Sequence, residues 1–185
     1  MQSVRHSAPA VNGTGDARRR LLPGLAAGAA AITVNTLLLK AADWVHVDVG
    51  HGGLLKVLRP LCGPALVSLG IGRAWRSMHL PAVGTPGFKI GFHVAVGLLM
   101  ALFYVFAFEP ALPRKLSPLQ KGLIYAALVW LANAAIVLPA LGQGFAGTSA
   151  LSAGGIAYYA FAHTVFFVLL AFIYAWLSSP VTSTA

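Results

Sequence analysis

Acidic residues are nearly missing from this chain: Asp16, Asp43, Asp48 and Glu109 are the only four in 185 residues. Charge of either sign is scarce, at 9%, against about 25% in an ordinary soluble domain. That is too little to cover a water-facing surface, so a soluble globular fold is excluded. Cysteine occurs once, as Cys62, which rules out an intrachain disulfide; a single cysteine in apolar surroundings behaves as a small hydrophobe. No G-x-S-x-G, H-E-x-x-H or cysteine pair occurs, so no nucleophile or zincin site is nominated and the reading is non-enzymatic.

What the chain does have is apolar sequence, 58% of it, arranged in long blocks as lipid solvation requires. Four blocks have the roughly 20 residues that cross ~30 Å of hydrocarbon: about 21–41, 88–108, 119–141 and 156–177. The fold class predicted is an all-α membrane protein of four transmembrane helices. Residues 1–20 read as a disordered basic tail ending in Arg18-Arg19-Arg20, residues 21–178 as one transmembrane domain, and 179–185 as a short tail. The arginine triplet before an apolar run also loosely fits a twin-arginine signal, but the further spans favour a membrane anchor. Ser117-Pro118-Leu119-Gln120 is a helix start with Ser as N-cap, Pro at N1 and Gln at N3. Trp176 suits an interfacial belt.

The net charge of +9 raises nucleic acid as a partner, but the basic residues cluster at the ends of apolar blocks, where they orient helices and meet anionic headgroups. The bilayer is therefore the expected partner and nucleic acid is not. With the N-terminus inside, seven basic residues fall inside (Arg5, Arg18, Arg19, Arg20, Arg114, Lys115, Lys121) and six outside (Lys40, Lys56, Arg59, Arg73, Arg76, Lys89). The triplet at the first span and the three basic residues in the short segment 109–121 place both termini in the cytoplasm.

Residues 42–87 are ambiguous. Lys56 and Arg59 interrupt the apolar stretch 54–72, and Pro60 and Pro64 are expected to break it, leaving 13 uninterrupted residues from Pro60 to Gly72. An amphipathic or re-entrant segment is expected here; a fifth span would move the basic loop outside.

The two halves of the chain resemble each other. Gly24 precedes Asn35 by eleven residues and Gly122 precedes Asn133 by eleven; His93 precedes Ala101 by eight and Tyr104 by eleven, as His163 does Ala171 and Tyr174. Two duplicated helix pairs are expected, related by a pseudo-two-fold axis along the membrane normal. Eleven residues are about three helical turns, so each set shares a face. Gly24, Gly28, Ala31 and Asn35 form one stripe, and Gly122, Ala126, Val129 and Asn133 the other; small residues so spaced allow close helix approach. The asparagines lie ~20 Å from the inner end and the histidines ~8–10 Å from the outer end. Asn35, His93, Asn133 and His163 are thus predicted to share one polar layer inside the bundle.

Polar groups at that depth must find partners. Asn–His hydrogen bonds holding each helix pair are the plain reading. The functional readings are a polar site for a substrate or proton in a carrier, and bis-histidine ligation of haem b by His93 and His163. A divalent metal is a further alternative, on Asp43, His46, Asp48 and His51, although these could equally form a Gly-rich loop meeting water and headgroups. Lys56, Arg59, Arg73, Arg76 and Lys89 are candidate contacts for lipid phosphates. His6 and His79 have no evident partner, and Glu109 before Pro110 reads as a helix-end residue.

The membrane spans resemble the YagU-like family of uncharacterised bacterial multi-pass inner-membrane proteins. The resemblance rests on Arg18-Arg19-Arg20 leading into a Gly/Ala-rich helix and on His93 and Tyr104 eleven apart. It rests also on Gly122-Leu123 opening a span with Pro139 seventeen residues after Gly122, and on His163 in the last helix. It covers roughly 18–41 and 88–177 and leaves out 42–87. It implies an inner-membrane location and a link to acid tolerance. The expected function is a small carrier or an envelope or acid-stress component; the alternatives are a haem- or metal-binding redox subunit and a structural subunit of a membrane complex, with a homo-oligomer open.

Overall fold

The computed structural model describes residues 13–49 and 53–179. Residues 1–12 of the expected basic tail, His51 of the expected metal set and residues 180–185 lie outside these. The described residues form helices and turns, with no strand among them. We label the helices α1 (Gly13–Trp44), α2 (Gly53–Ser68), α3 (Ile71–Ser77), α4 (Pro86–Ala111), α5 (Pro118–Ala140) and α6 (Ala153–Ser178).

Four of these are long and apolar enough to cross a membrane: the Ala17–Trp44 part of α1 with 28 residues, α4 with 26, α5 with 23 and α6 with 26. At 1.5 Å per residue each exceeds the ~30 Å hydrocarbon thickness. Large apolar side chains point outward along them, including Leu99 (64% exposed), Leu131 (53%) and Ile136 (66%). Exposed apolar surface on this scale belongs against lipid tails. The chain is a multi-pass helical membrane protein.

The helices begin where local chemistry provides a cap. Thr85 accepts from Phe88 N–H and Ser152 from Gly155 N–H. Ser117 forms the full capping box with Gln120, as the sequence predicts. Ser117→Ala is expected to cost about 1 kcal/mol, measured as a lower thermal midpoint of the purified protein in detergent; an unchanged midpoint would show that the cap contributes nothing there.

Two local features differ from expectation. The first helix starts at Gly13 rather than near residue 21, so Arg18-Arg19-Arg20 lies on a helix; Ala17 and the three arginines are good helix formers. Second, Pro60 and Pro64 do not break α2. They stand one turn apart, so the two missing N–H bonds fall on one side of the helix and the ladder survives on the other. At 16 residues, or about 24 Å, α2 is shorter than the hydrocarbon core.

Within the bundle α1 packs against both α4 and α6, and α6 also packs against α5. Small residues set the closeness. Ala27 and Ala31 of α1 are fully buried, and Gly28 faces Ala101 of α4 so closely that a Cβ on it would lie 2.5 Å from the alanine methyl. Gly97 packs in the same way against Ile32. Aromatic rings join α4 to α5: Tyr125 lies 4.6 Å from Phe108 and 5.5 Å from Tyr104, centroid to centroid. Its hydroxyl donates to the Met100 carbonyl at 3.0 Å.

Both α4 and α5 contain one π-turn, at Tyr104–Phe108 and Asn133–Val137. In each, a proline follows two residues later, Pro110 or Pro139. Proline has no N–H and its ring crowds the carbonyl four residues back; one widened turn relieves that clash.

Candidate functional site

Asn35 is the one buried polar residue of the described bundle, 1% exposed. The α1 stripe of Gly24, Gly28 and Ala31 brings its face against the neighbouring helices, and Asn35 continues that face. Its Nδ2 donates to the Ala162 carbonyl of α6 at 2.8 Å, and its Oδ1 lies 3.0 Å from His93 Nε2 of α4. One side chain therefore ties three helices together. One turn along the same seam Tyr158 O–H donates to the Leu38 carbonyl at 2.7 Å, so α1 and α6 run antiparallel and are pinned twice.

The hydrogen-bond directions fix the tautomers of both imidazoles. An amide oxygen can only accept, so His93 Nε2 carries the proton and donates to Asn35. His163 Nδ1 lies 2.8 Å from the Tyr159 carbonyl, so there Nδ1 is the donor. Each neutral ring is left with one basic nitrogen, Nδ1 of His93 and Nε2 of His163. Among the described residues, Gln143 Oε1 is the one fully buried side-chain polar atom without a partner. Neither of the two remaining imidazole nitrogens has a hydrogen-bond partner among the described residues. In the chain His163 follows Ala162, whose carbonyl accepts from Asn35. Tyr159 covers His163 with ring centroids 4.1 Å apart.

Of the four residues expected in one layer, Asn35 and His93 are bonded, and His163 adjoins in sequence the Ala162 whose carbonyl Asn35 binds. Asn133 sits at the first residue of the α5 π-turn, half-buried. Its side chain makes no hydrogen bond among the described residues.

The sequence reading omitted two partners, the Ala162 carbonyl and the Tyr158–Leu38 bond. A side chain bonded to a backbone carbonyl leaves no residue pair to recognise. The available signal was Tyr158, a polar side chain one turn before Ala162 on the same side of α6.

The outer candidates are placed differently. Asp43, His46 and Asp48 are exposed around the end of α1, with His46 in a left-handed conformation at φ 56°. Among the described residues no group of three or more His, Cys, Asp or Glu is arranged to hold a metal ion; His51 is not among them. The Asp48 carbonyl packs directly on Gly155, in the first turn of α6, where the missing Cβ admits it. Lys56 and Arg59 are exposed on α2, Arg73 and Arg76 on α3, and Lys89 in the first turn of α4, all in the segment between the first two spanning helices and its junction with α4.

Axial ligation of haem by His93 through Nε2 would require that nitrogen to leave Asn35. Comparison with family models, with curated proteins and with solved structures found no match to this chain.

Proposed function

We propose that this protein is a small non-enzymatic carrier of the bacterial inner membrane, with Asn35, His93 and His163 forming a site that takes up and releases a proton inside the bundle. The observation that carries the reading is that each imidazole engages an oxygen acceptor through one nitrogen only, His93 Nε2 with Asn35 Oδ1 at 3.0 Å and His163 Nδ1 with the Tyr159 carbonyl at 2.8 Å. Protonating either ring at its remaining nitrogen leaves every hydrogen bond of the cluster intact, so charge is gained without breaking the seam. Histidine is the side chain suited to such a change near neutral pH, and ionisable groups at membrane depth belong to ion and proton paths by default. Both termini are assigned to the cytoplasm on the basic flanks. The resemblance to the YagU-like family adds the link to acid stress.

The two halves are read as duplicated pairs. Support comes from Ala101 and Ala171, matched eight residues after their histidines, each of which receives a glycine of the neighbouring helix, Gly28 and Gly122. The glycines themselves are one turn apart in the matching, since Gly122 pairs with Gly24.

Proton movement into vesicles containing the purified protein, driven by a potassium diffusion potential and read with an internal pH dye, tests the proposal. Wild type is expected to acidify the lumen, and His93→Ala with His163→Ala to reduce the rate about tenfold or more, the size of effect that loss of a proton-transfer group produces. If the double variant is less stable but moves protons as fast as wild type, the cluster is a structural pin and the carrier reading fails. A Soret band with stoichiometric iron in the purified protein would replace it with the haem reading.

A further inference from the structure

At the end of the bundle that carries the 112–117 loop, a cavity of about 440 Å³ opens between α1, α4, α5 and α6. Its charge comes from Arg19 and Arg20 of α1, Lys121 of α5 and Glu109 of α4, and Tyr104 and Tyr174 also line it. The two tyrosines are almost fully buried and pack edge to face at 6.1 Å, which makes them a fixed floor. Lys121 Nζ donates to Glu109 Oε1 at 2.7 Å, and this pair is itself largely enclosed, at 13% and 26% exposed. Among the described residues neither Arg19 nor Arg20 has an ion pair. Among the described residues, the cavity therefore holds two cationic charges without an ion-pair partner.

The position matters as much as the charge. The cavity lies where the spanning helices end, the level at which headgroups are expected. The first turn of α5 contributes Pro118 to the wall, so the positive end of that helix dipole borders the cavity. Both arginines line the cavity; a planar guanidinium can match two oxygens of a phosphate in a forked pair, and an ammonium adds a point charge. A carboxylate already bonded to the ammonium restrains it: an arriving anion would have to share Lys121 with Glu109.

We propose that this cavity binds one phosphate-bearing anion, the headgroup of an acidic phospholipid or free phosphate, with Arg19 and Arg20 as its ligands and the Lys121–Glu109 pair setting its affinity. The site is separate from the histidine cluster, and its occupancy does not depend on what that cluster carries.

The test uses the full chain in mild detergent, stripped of lipid and titrated with phosphatidylglycerol, with bound lipid counted by native mass spectrometry. Arg19→Gln with Arg20→Gln is expected to weaken retention about tenfold, as the loss of charge-assisted bonds predicts. Glu109→Gln is expected to tighten it several-fold, because Lys121 is released to the anion. Arg114→Gln with Lys115→Gln removes equal charge from exposed positions of the neighbouring loop and is expected to leave retention unchanged. If that loop variant weakens binding as much as the Arg19/Arg20 variant, or if Glu109→Gln weakens it, only general attraction is at work and the proposal is overturned. Should the Arg19/Arg20 variant fail to fold, the direction of the Glu109→Gln change decides alone. A parallel titration with inorganic phosphate separates the sources. Phosphate that displaces the lipid and stabilises the stripped chain, with the same arginine dependence, identifies a free-anion site; lipid retained against phosphate identifies a headgroup site. Binding of neither removes the proposal.

Discussion

Replacing Gly122 with leucine is expected to separate α5 from α6 and to destabilise the bundle by about 3 kcal/mol or more, at the upper end of overpacking costs. A Cβ at this position would lie 2.8 Å from Val168 Cα and 3.0 Å from the Phe167 carbonyl oxygen. Both obstacles are backbone atoms, which cannot rotate aside as a side-chain tip can. The whole helix has to move, and the ring contact between Tyr125 and Phe167, 4.5 Å between centroids, opens with it. Gly122→Ala should show the same effect at smaller size. Gly91→Ala is the control: it lies in α4 with nothing within 4 Å of an added Cβ, and should be neutral or stabilising by up to ~1 kcal/mol through helix propensity. Thermal midpoints in detergent, or denaturation by an added harsh detergent, rank the three. Equal midpoints for Gly122→Leu and wild type would mean that the α5–α6 contact is not close in the protein.

Asn35→Asp carries the second large effect, about 3–5 kcal/mol, the cost of leaving a buried charge without adequate compensation. Asparagine meets the Ala162 carbonyl with a donor and His93 with an acceptor. Aspartate keeps the acceptor but turns a carboxylate oxygen toward the Ala162 carbonyl, where two acceptors repel. Asn35→Leu removes both bonds without adding charge and should cost less, about 1–2 kcal/mol, in keeping with interhelical hydrogen bonds in membranes. The order Asp worse than Leu is the informative outcome. The reverse order would place residue 35 in water rather than in a sealed seam.

The spans were legible because lipid leaves a strong mark: an unbroken apolar block of about 20 residues has few other meanings. The capping box at Ser117 was equally plain, since Ser, Pro and Gln stood at the positions the cap needs. Asn35 and His93 could be brought near each other by periodicity and depth alone, because the segments carrying them are regular α-helix. Asn133 could not. Its distance from His163 depends on how far α5 is slid along α6, and no periodicity encodes that slide. Gly28 lies against Ala101 in the first pair, whereas Gly122 lies against Val168 and Ala171 in the second. Carrying the second register eleven residues along antiparallel helices sets Asn133 level with residues 157–160, roughly 5–9 Å from the level of His163. Close backbone approach at one glycine thus decides which polar residues meet.

The charged cavity was hidden for a different reason. Arg19, Arg20 and Lys121 had an adequate explanation as charges that orient helices, and Glu109 as a helix end. Their convergence required the chain to fold back on itself twice.

The π-turn at Tyr104–Phe108 has a geometric consequence for that acid. A widened turn is equivalent to one residue inserted into an otherwise regular helix, and one residue is about 100° of rotation. Everything after it on α4 is therefore turned by that angle relative to the face that carries Gly97 and Ala101. Upstream of the turn α4 presents its small residues to α1; downstream it presents Glu109 to Lys121. The helix acts as two differently phased blades on one shaft. Removing a single residue from the turn would leave hydropathy and helix length almost unaltered, yet would rotate the carboxylate away from its ammonium partner.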